Sequence, residues 1–291
     1  MNHRNAHRYS IWIAAIVGAV AAGQQATSVA PDIAYGKDSP SQILDLYVPA
    51  KKGFATIVYT YGGGWHSGSG KSSIPIAQKL QSLGYGCVLV SHRLSPPDSF
   101  PAQAQDLAAA FAWTKRNVAA RGGDPRHVIL AGHSSGAHLS LLLVTDPRFL
   151  AEQRFSVRDV AAVVGLSTPL DLTTHPDGHG YGDMLLAGAG ADVFRRDLTK
   201  MRDASPASHI NRDLPPTLLL VGERDFPMLA SDALAFVAES KKAGATAEFA
   251  VIPGKDHIGM AQGMTDDKDA VLSRVSVFLE RRFAARSGES K

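Results

Sequence analysis

Short apolar, β-branched runs alternate with stretches of helical periodicity along most of this chain, and that alternation narrows its fold more than any other feature. Strand-like runs occupy residues 44–48, 55–61, 87–91, 128–131, 160–166, 217–221 and 248–252. Helical patterns at residues 76–83, 104–120, 137–144, 229–243 and 270–282 separate or follow them. Strands joined through helices imply right-handed crossovers, hence an α/β protein with a mostly parallel sheet covered on both faces. The run at 44–48 alternates apolar and polar residues and ends at Pro49, as an early edge strand would. No internal repeat or second boundary interrupts residues 24–291, which read as one domain. The irregular stretch is 171–212, rich in Gly, His and Asp; so long a crossover is expected to serve as a lid or small cap.

The amino terminus obeys another rule. Arg4 and Arg8 precede an apolar run at 11–22, followed by small and polar residues. That is the layout of a secretory signal, and the run is too short for a bilayer that needs roughly 20 residues. A cut between Gly23 and Gln24 is expected, with one after Ala30 as the poorer alternative and an uncleaved anchor as the rival reading. The protein is therefore expected to be secreted or periplasmic. With one cysteine, Cys87, export supplies no internal disulfide. Cys87 lies within a strand-like run and reads as a small buried thiol. A formal net charge of +3 over 291 residues is no nucleic-acid footprint, which requires a concentrated basic face.

Gly132-His133-Ser134-Ser135-Gly136 follows one strand and opens a helix. This is the context in which G-x-S-x-G holds a serine in a strained turn above the sheet. A serine hydroxyl is a weak nucleophile and needs a base and a group to orient that base. The loop after residues 217–221 offers Glu223 and Asp225, and the loop after 248–252 offers Asp256 and His257. Both loops lie at the carboxyl edge of the sheet, where open α/β folds bind ligands. Asp225 is the first choice for the orienting acid, with Glu223 in reserve and Asp256 third; His257 is the expected base. The glycine run at 62–64 follows a strand and precedes Trp65, so its backbone N–H groups can serve a developing oxyanion.

Tyr61-Gly62-Gly63-Gly64-Trp65, the Ser91-His92-Arg93-Leu94-Ser95-Pro96 segment, Gly122-Gly123-Asp124-Pro125 and residues 132–138 together resemble the hormone-sensitive-lipase-like branch of α/β-hydrolases. Compact bacterial feruloyl-esterase and carboxylesterase-like members are the nearest likeness, and it runs from about residue 34 to 283. The resemblance implies carboxylic-ester hydrolysis, with Ser134 as nucleophile, Asp225 as acid and His257 as base. It also implies oxyanion donors from the N–H groups of Gly63, Gly64 and Ser135. An amidase or formamidase with the same triad, and a non-catalytic binding protein of this fold, are the alternatives. Where the family begins its glycine motif with His this chain has Tyr61, whose hydroxyl is then expected to support the loop. His133 reads as packing against the sheet. No cofactor or metal is implied, although the His and Asp residues of 175–183 invite a metal reading. The expected partner is a small-molecule ester, or an ester group on a larger molecule, with no nucleic acid and no stable membrane partner.

Overall fold

The computed structural model describes residues 26–175 and 180–287. The expected signal at 1–23 lies outside them, as do residues 176–179 of the Gly- and His-rich loop. In chain order the strands are β1 (Ser28–Ala34), β2 (Ile43–Val48), β3 (Phe54–Thr60), β4 (Gly86–Val90), β5 (Gly123–His133), β6 (Ala162–Leu166), β7 (Thr217–Arg224) and β8 (Ala247–Asp256). They form one sheet in the order β1-β2-β4-β3-β5-β6-β7-β8. β1 to β2 and β2 to β4 are antiparallel; every later pairing is parallel.

The helices are α1 (Ile74–Ser82), α2 (Ala102–Asn117), α3 (Ser135–Thr145), α4 (Arg148–Glu152), α5 (Tyr181–Ala187), α6 (Leu198–Asp203), α7 (Pro227–Lys242), α8 (His257–Gln262) and α9 (Ala270–Ser287). They split into two layers around two apolar clusters. One unites α2, α3 and α7 with residues such as Val58, Leu130 and Leu219; the other unites α1, α8 and α9 with Ile57, Ile129 and Leu220. Neighbouring residues of a strand point to opposite faces, so the continuous runs of β3, β5 and β7 feed both cores. Every residue of α3 is buried, as suits a helix apolar on most sides and wedged behind the central strand. Cys87 is buried in β4, as the sequence suggests.

Residues 44–48 are not an edge strand. β1 pairs outside β2, with Ser28 opposite Val48 and Ala34 opposite Ile43. Pro31 and Asp32 disguise β1, because proline cannot donate to a ladder. Here the register shifts between Ala30 and Ile33, and the Asp32 N–H is satisfied instead by Asp45 Oδ1 at 2.8 Å. Proline at a bulge on an outer strand costs no sheet bond. The alternative cut after Ala30 would fall inside this strand.

The described parts of the long crossover, 171–175 and 180–212, are held by burial rather than by long helices. Leu172, Tyr181, Leu185, Val193, Phe194 and Met201 all join the core beside α2 and α3.

Candidate active site

The carboxyl ends of β3, β5, β7 and β8 converge on one edge, and three loops there carry the reactive groups. Ser134 stands between β5 and α3 with φ +52 and ψ −123, backbone that a residue with a Cβ rarely adopts. Such strain persists where the surroundings over-determine it. Here the constraint is close packing: a Cβ on Gly136 would overlap the carbonyl oxygens of Thr60 and Tyr61. The sharp turn leaves the Ser134 side chain at the rim, still 7% exposed.

Ser134 Oγ donates to His257 Nε2 at 2.9 Å, and His257 Nδ1–H donates to Asp225 Oδ1 at 2.7 Å. The carboxylate accepts at Nδ1, so that nitrogen carries the proton and Nε2 presents its lone pair to the serine. Asp225 also accepts from the Phe226 N–H at 2.8 Å and from Ser167 Oγ at 2.5 Å. Burial pushes the Asp225 carboxyl up, but hydrogen bonds from His257 and Ser167 outweigh it and hold the group below the usual carboxylate range. The acid therefore stays charged beside the imidazole.

Glu223 does something else. Its Oε2 accepts the Gly254 N–H at 2.8 Å, while the Arg224 guanidinium donates to the Gly254 carbonyl. The two side chains grip the turn that leads to His257. Asp256 caps α8 by accepting the Gly259 N–H at 2.7 Å. Of the three carboxylates these loops offer, the structure puts Asp225 on the imidazole.

His133 does more than pack. Its Nε2–H donates to the main-chain carbonyl of His257 at 2.8 Å, and the two rings lie 4.7 Å apart. The glycine loop is anchored from below. Trp65, 1% exposed, donates its indole N–H to His138 Nδ1 at 3.1 Å, and His138 Nε2–H donates to the Ala204 carbonyl at 2.8 Å. Trp65 also meets Phe194 edge to face at 5.3 Å, which ties the loop to the 171–212 crossover. Tyr61 has a different anchor from the expected hydroxyl bond: its ring stacks on His92 at 5.0 Å with the planes 8° apart. Among the described residues no acceptor takes the N–H of Gly63 or Gly64. Ser135 opens α3, so its N–H lacks an intrahelical acceptor as well. These three donors, at the loop and beside the elbow, remain available to an anion.

A cavity of about 440 Å³ opens beside this centre, bounded by Gly62, His133 and Ile258 and running out to Ser72, Ser73, Gln262 and Thr265. Among the described residues no acidic side chain, lysine or arginine lines it. In the crossover, Asp183 Oδ2 accepts the N–H groups of His175 and Gly180, which fastens the start of α5. The rest of the segment behind the metal reading, 176–179, lies outside the described residues.

Burial drives His133 and His138 down to about 4 and lowers His92 too, with the neighbouring His257 adding to the effect at His133. An unfolded chain protonates its histidines near 6.5. Between pH of roughly 6.5 and 4 these three rings make the unfolded state bind more protons. The Asp232 carboxyl, pushed up to about 6 by burial, acts the other way but is a single group, so stability falls as pH is lowered through that window. The melting temperature is expected to drop progressively from pH 6.5 to 4, and less steeply in His138→Gln. A melting temperature that is flat or rises over this interval would contradict the buried, neutral state of these rings.

The sequence carries independent signs of kinship. The BD-FAE family model matches residues 44–237. The esterase LipQ of Mycobacterium tuberculosis is 28% identical over 274 residues, covering 88% of this chain and 64% of its own length. The esterase LipC of the same organism is 29% identical over 237 residues, covering 77% of this chain and 58% of its own. The chain thus spans under two thirds of the length of these relatives. A truncated carbohydrate esterase from gut microbiota superposes with a TM-score of 0.73 at 23% identity, over 90% of this chain and 98% of that one. Esterase B from Lactobacillus rhamnosis gives 0.75 at 21% identity, over 92% and 90%. At that identity the likeness speaks for the fold, which is the α/β-hydrolase fold.

Proposed function

Because the chain belongs to the BD-FAE family and has the α/β-hydrolase fold, we propose that it is a serine esterase that hydrolyses carboxylic esters through an acyl-enzyme on Ser134. The observation that carries this reading is the unbroken relay from Ser134 Oγ through His257 to Asp225, at 2.9 and 2.7 Å, on a strained elbow.

The chemistry follows from the atoms. As Ser134 Oγ attacks the ester carbonyl, its proton passes to His257 Nε2, and the imidazolium is stabilised by the Asp225 carboxylate. The carbonyl oxygen becomes an oxyanion, and the N–H groups of Gly63, Gly64 and Ser135 are assigned to receive it. Collapse expels the alcohol, which takes the proton from Nε2 as it leaves. Water then repeats the sequence on the acyl-enzyme. The leaving oxygen must depart on the His257 side, so the cavity beside Ile258 is assigned to the alcohol portion of the substrate. Its lining is uncharged yet carries hydroxyl and amide groups, which suits a neutral alcohol, either small or part of a larger molecule. The 171–212 crossover, tied to the glycine loop through Phe194 and Trp65, serves as a compact cap. Arg4, Arg8 and the apolar run at 11–22 support export to the periplasm or beyond.

The test is turnover by the purified protein. Nitrophenyl esters of graded acyl length should be hydrolysed, and N-formylkynurenine and nitroanilide amides should be much slower. Faster cleavage of the formamide than of any ester would replace this reading by an amidase.

A further inference from the structure

Ser167 stands one residue beyond the end of β6, and the mechanism above leaves it unused. It is wholly buried, and its φ of +54 puts it in the left-handed region, where a serine is strained. Its N–H donates to the Leu220 carbonyl at 2.8 Å, which pins the residue between β6 and β7. The left-handed turn breaks the extended course of the strand, and Ser167 Oγ meets Asp225 Oδ2 at 2.5 Å. His257 and Phe226 both donate to the other oxygen, Oδ1.

We infer that Ser167 is a positioning residue for ester hydrolysis: its hydroxyl locks the rotation of the Asp225 carboxylate so that Oδ1 stays on His257 Nδ1 while the imidazolium forms. The inference rests on reading Ser134, His257 and Asp225 as the catalytic relay. The physical reason lies in the terminal torsion of aspartate, which is broad and roughly two-fold. The Asp225 side chain is 1% exposed, so water cannot take over at Oδ2. Without Ser167 that oxygen is a buried acceptor with no donor, a costly state that rotation toward the Phe226 N–H would relieve. Such rotation carries Oδ1 off the imidazole. Strained backbone at a non-glycine residue is what a structure tolerates when the side chain must reach one particular atom.

Wild type, Ser167→Gly and Ser167→Cys separate the hydroxyl from the backbone. Glycine removes the hydroxyl while accepting the positive φ, so the fold is kept. Cysteine keeps the size and only a weak donor. For Ser167→Gly on a nitrophenyl ester, kcat is expected to fall by about ten- to a hundredfold, the range for a hydrogen bond to a charged group, with KM within about threefold. The rate at which an alkyl fluorophosphonate labels Ser134 should fall by the same factor, and Ser167→Cys should lie between. Ser167→Gly that keeps more than half of the wild-type kcat and labelling rate, or raises KM with kcat unchanged, overturns the inference and leaves the relay standing. A wild-type protein that neither turns over esters nor labels at Ser134 overturns the relay and this inference with it.

Discussion

Ser134→Ala is expected to lower kcat by at least about four orders of magnitude while the protein stays folded. Nothing else at the elbow replaces the lost Oγ: Ser135 is the first residue of α3 and is 1% exposed. Removing a triad nucleophile elsewhere has cost up to about a millionfold, with the remainder supplied by binding and the oxyanion site alone. Stability should change little, because the change deletes only Oγ, whose hydrogen bond goes to His257 at the rim, and keeps the Cβ. Steady-state kinetics and a melting curve on the same preparation check both halves. Retention of a tenth of the wild-type rate would remove Ser134 as nucleophile.

Asp225→Asn should cost at least about two orders of magnitude in kcat, against about four for the equivalent change in serine proteases. The amide keeps the shape of the site. Its oxygen can still accept from His257 Nδ1–H, and its NH2 can face Ser167, whose hydroxyl can accept as well as donate. What disappears is the charge that stabilises the imidazolium, so the loss is electrostatic and falls on kcat. Glu223→Gln is the control. Glu223 is exposed and accepts a single N–H from Gly254, which glutamine can also do, so less than tenfold should be lost. Equal losses in the two variants would contradict the separate roles assigned to these carboxylates.

The parallel sheet was readable because its strands are buried on both faces and therefore appear as continuous apolar runs. β1 was not, since Pro31 and Asp32 sit at a bulge where no ladder bond is made, and a short-range pattern carries no trace of a partner strand. The short helices of the crossover escaped for a related reason: α5 and α6 depend on burial against α2 and α3 rather than on their own periodicity. Ser134, Asp225 and His257 were legible because each chemistry demands a residue type at a strand end in a fixed chain order. Ser167 was not, because a lone serine after a strand has no spacing to mark it and only the fold brings it to Asp225. The joint work of Trp65 and His138 lay hidden inside two motifs, whose contact is a matter of tertiary structure. Tyr61 was expected to act through its hydroxyl and instead stacks on His92, a partner 31 positions away in the chain that no local pattern announces.

The central claim, that Ser134 is a nucleophile activated by His257, is tested most directly by locating a covalent adduct. Wild-type protein is treated with an alkyl fluorophosphonate, digested and mapped by mass spectrometry, alongside Ser134→Ala and His257→Ala. The account predicts a single adduct on Ser134 in wild type, none in Ser134→Ala, and labelling slowed by orders of magnitude in His257→Ala. An adduct on another residue, or ester turnover with Ser134 unlabelled, would contradict it.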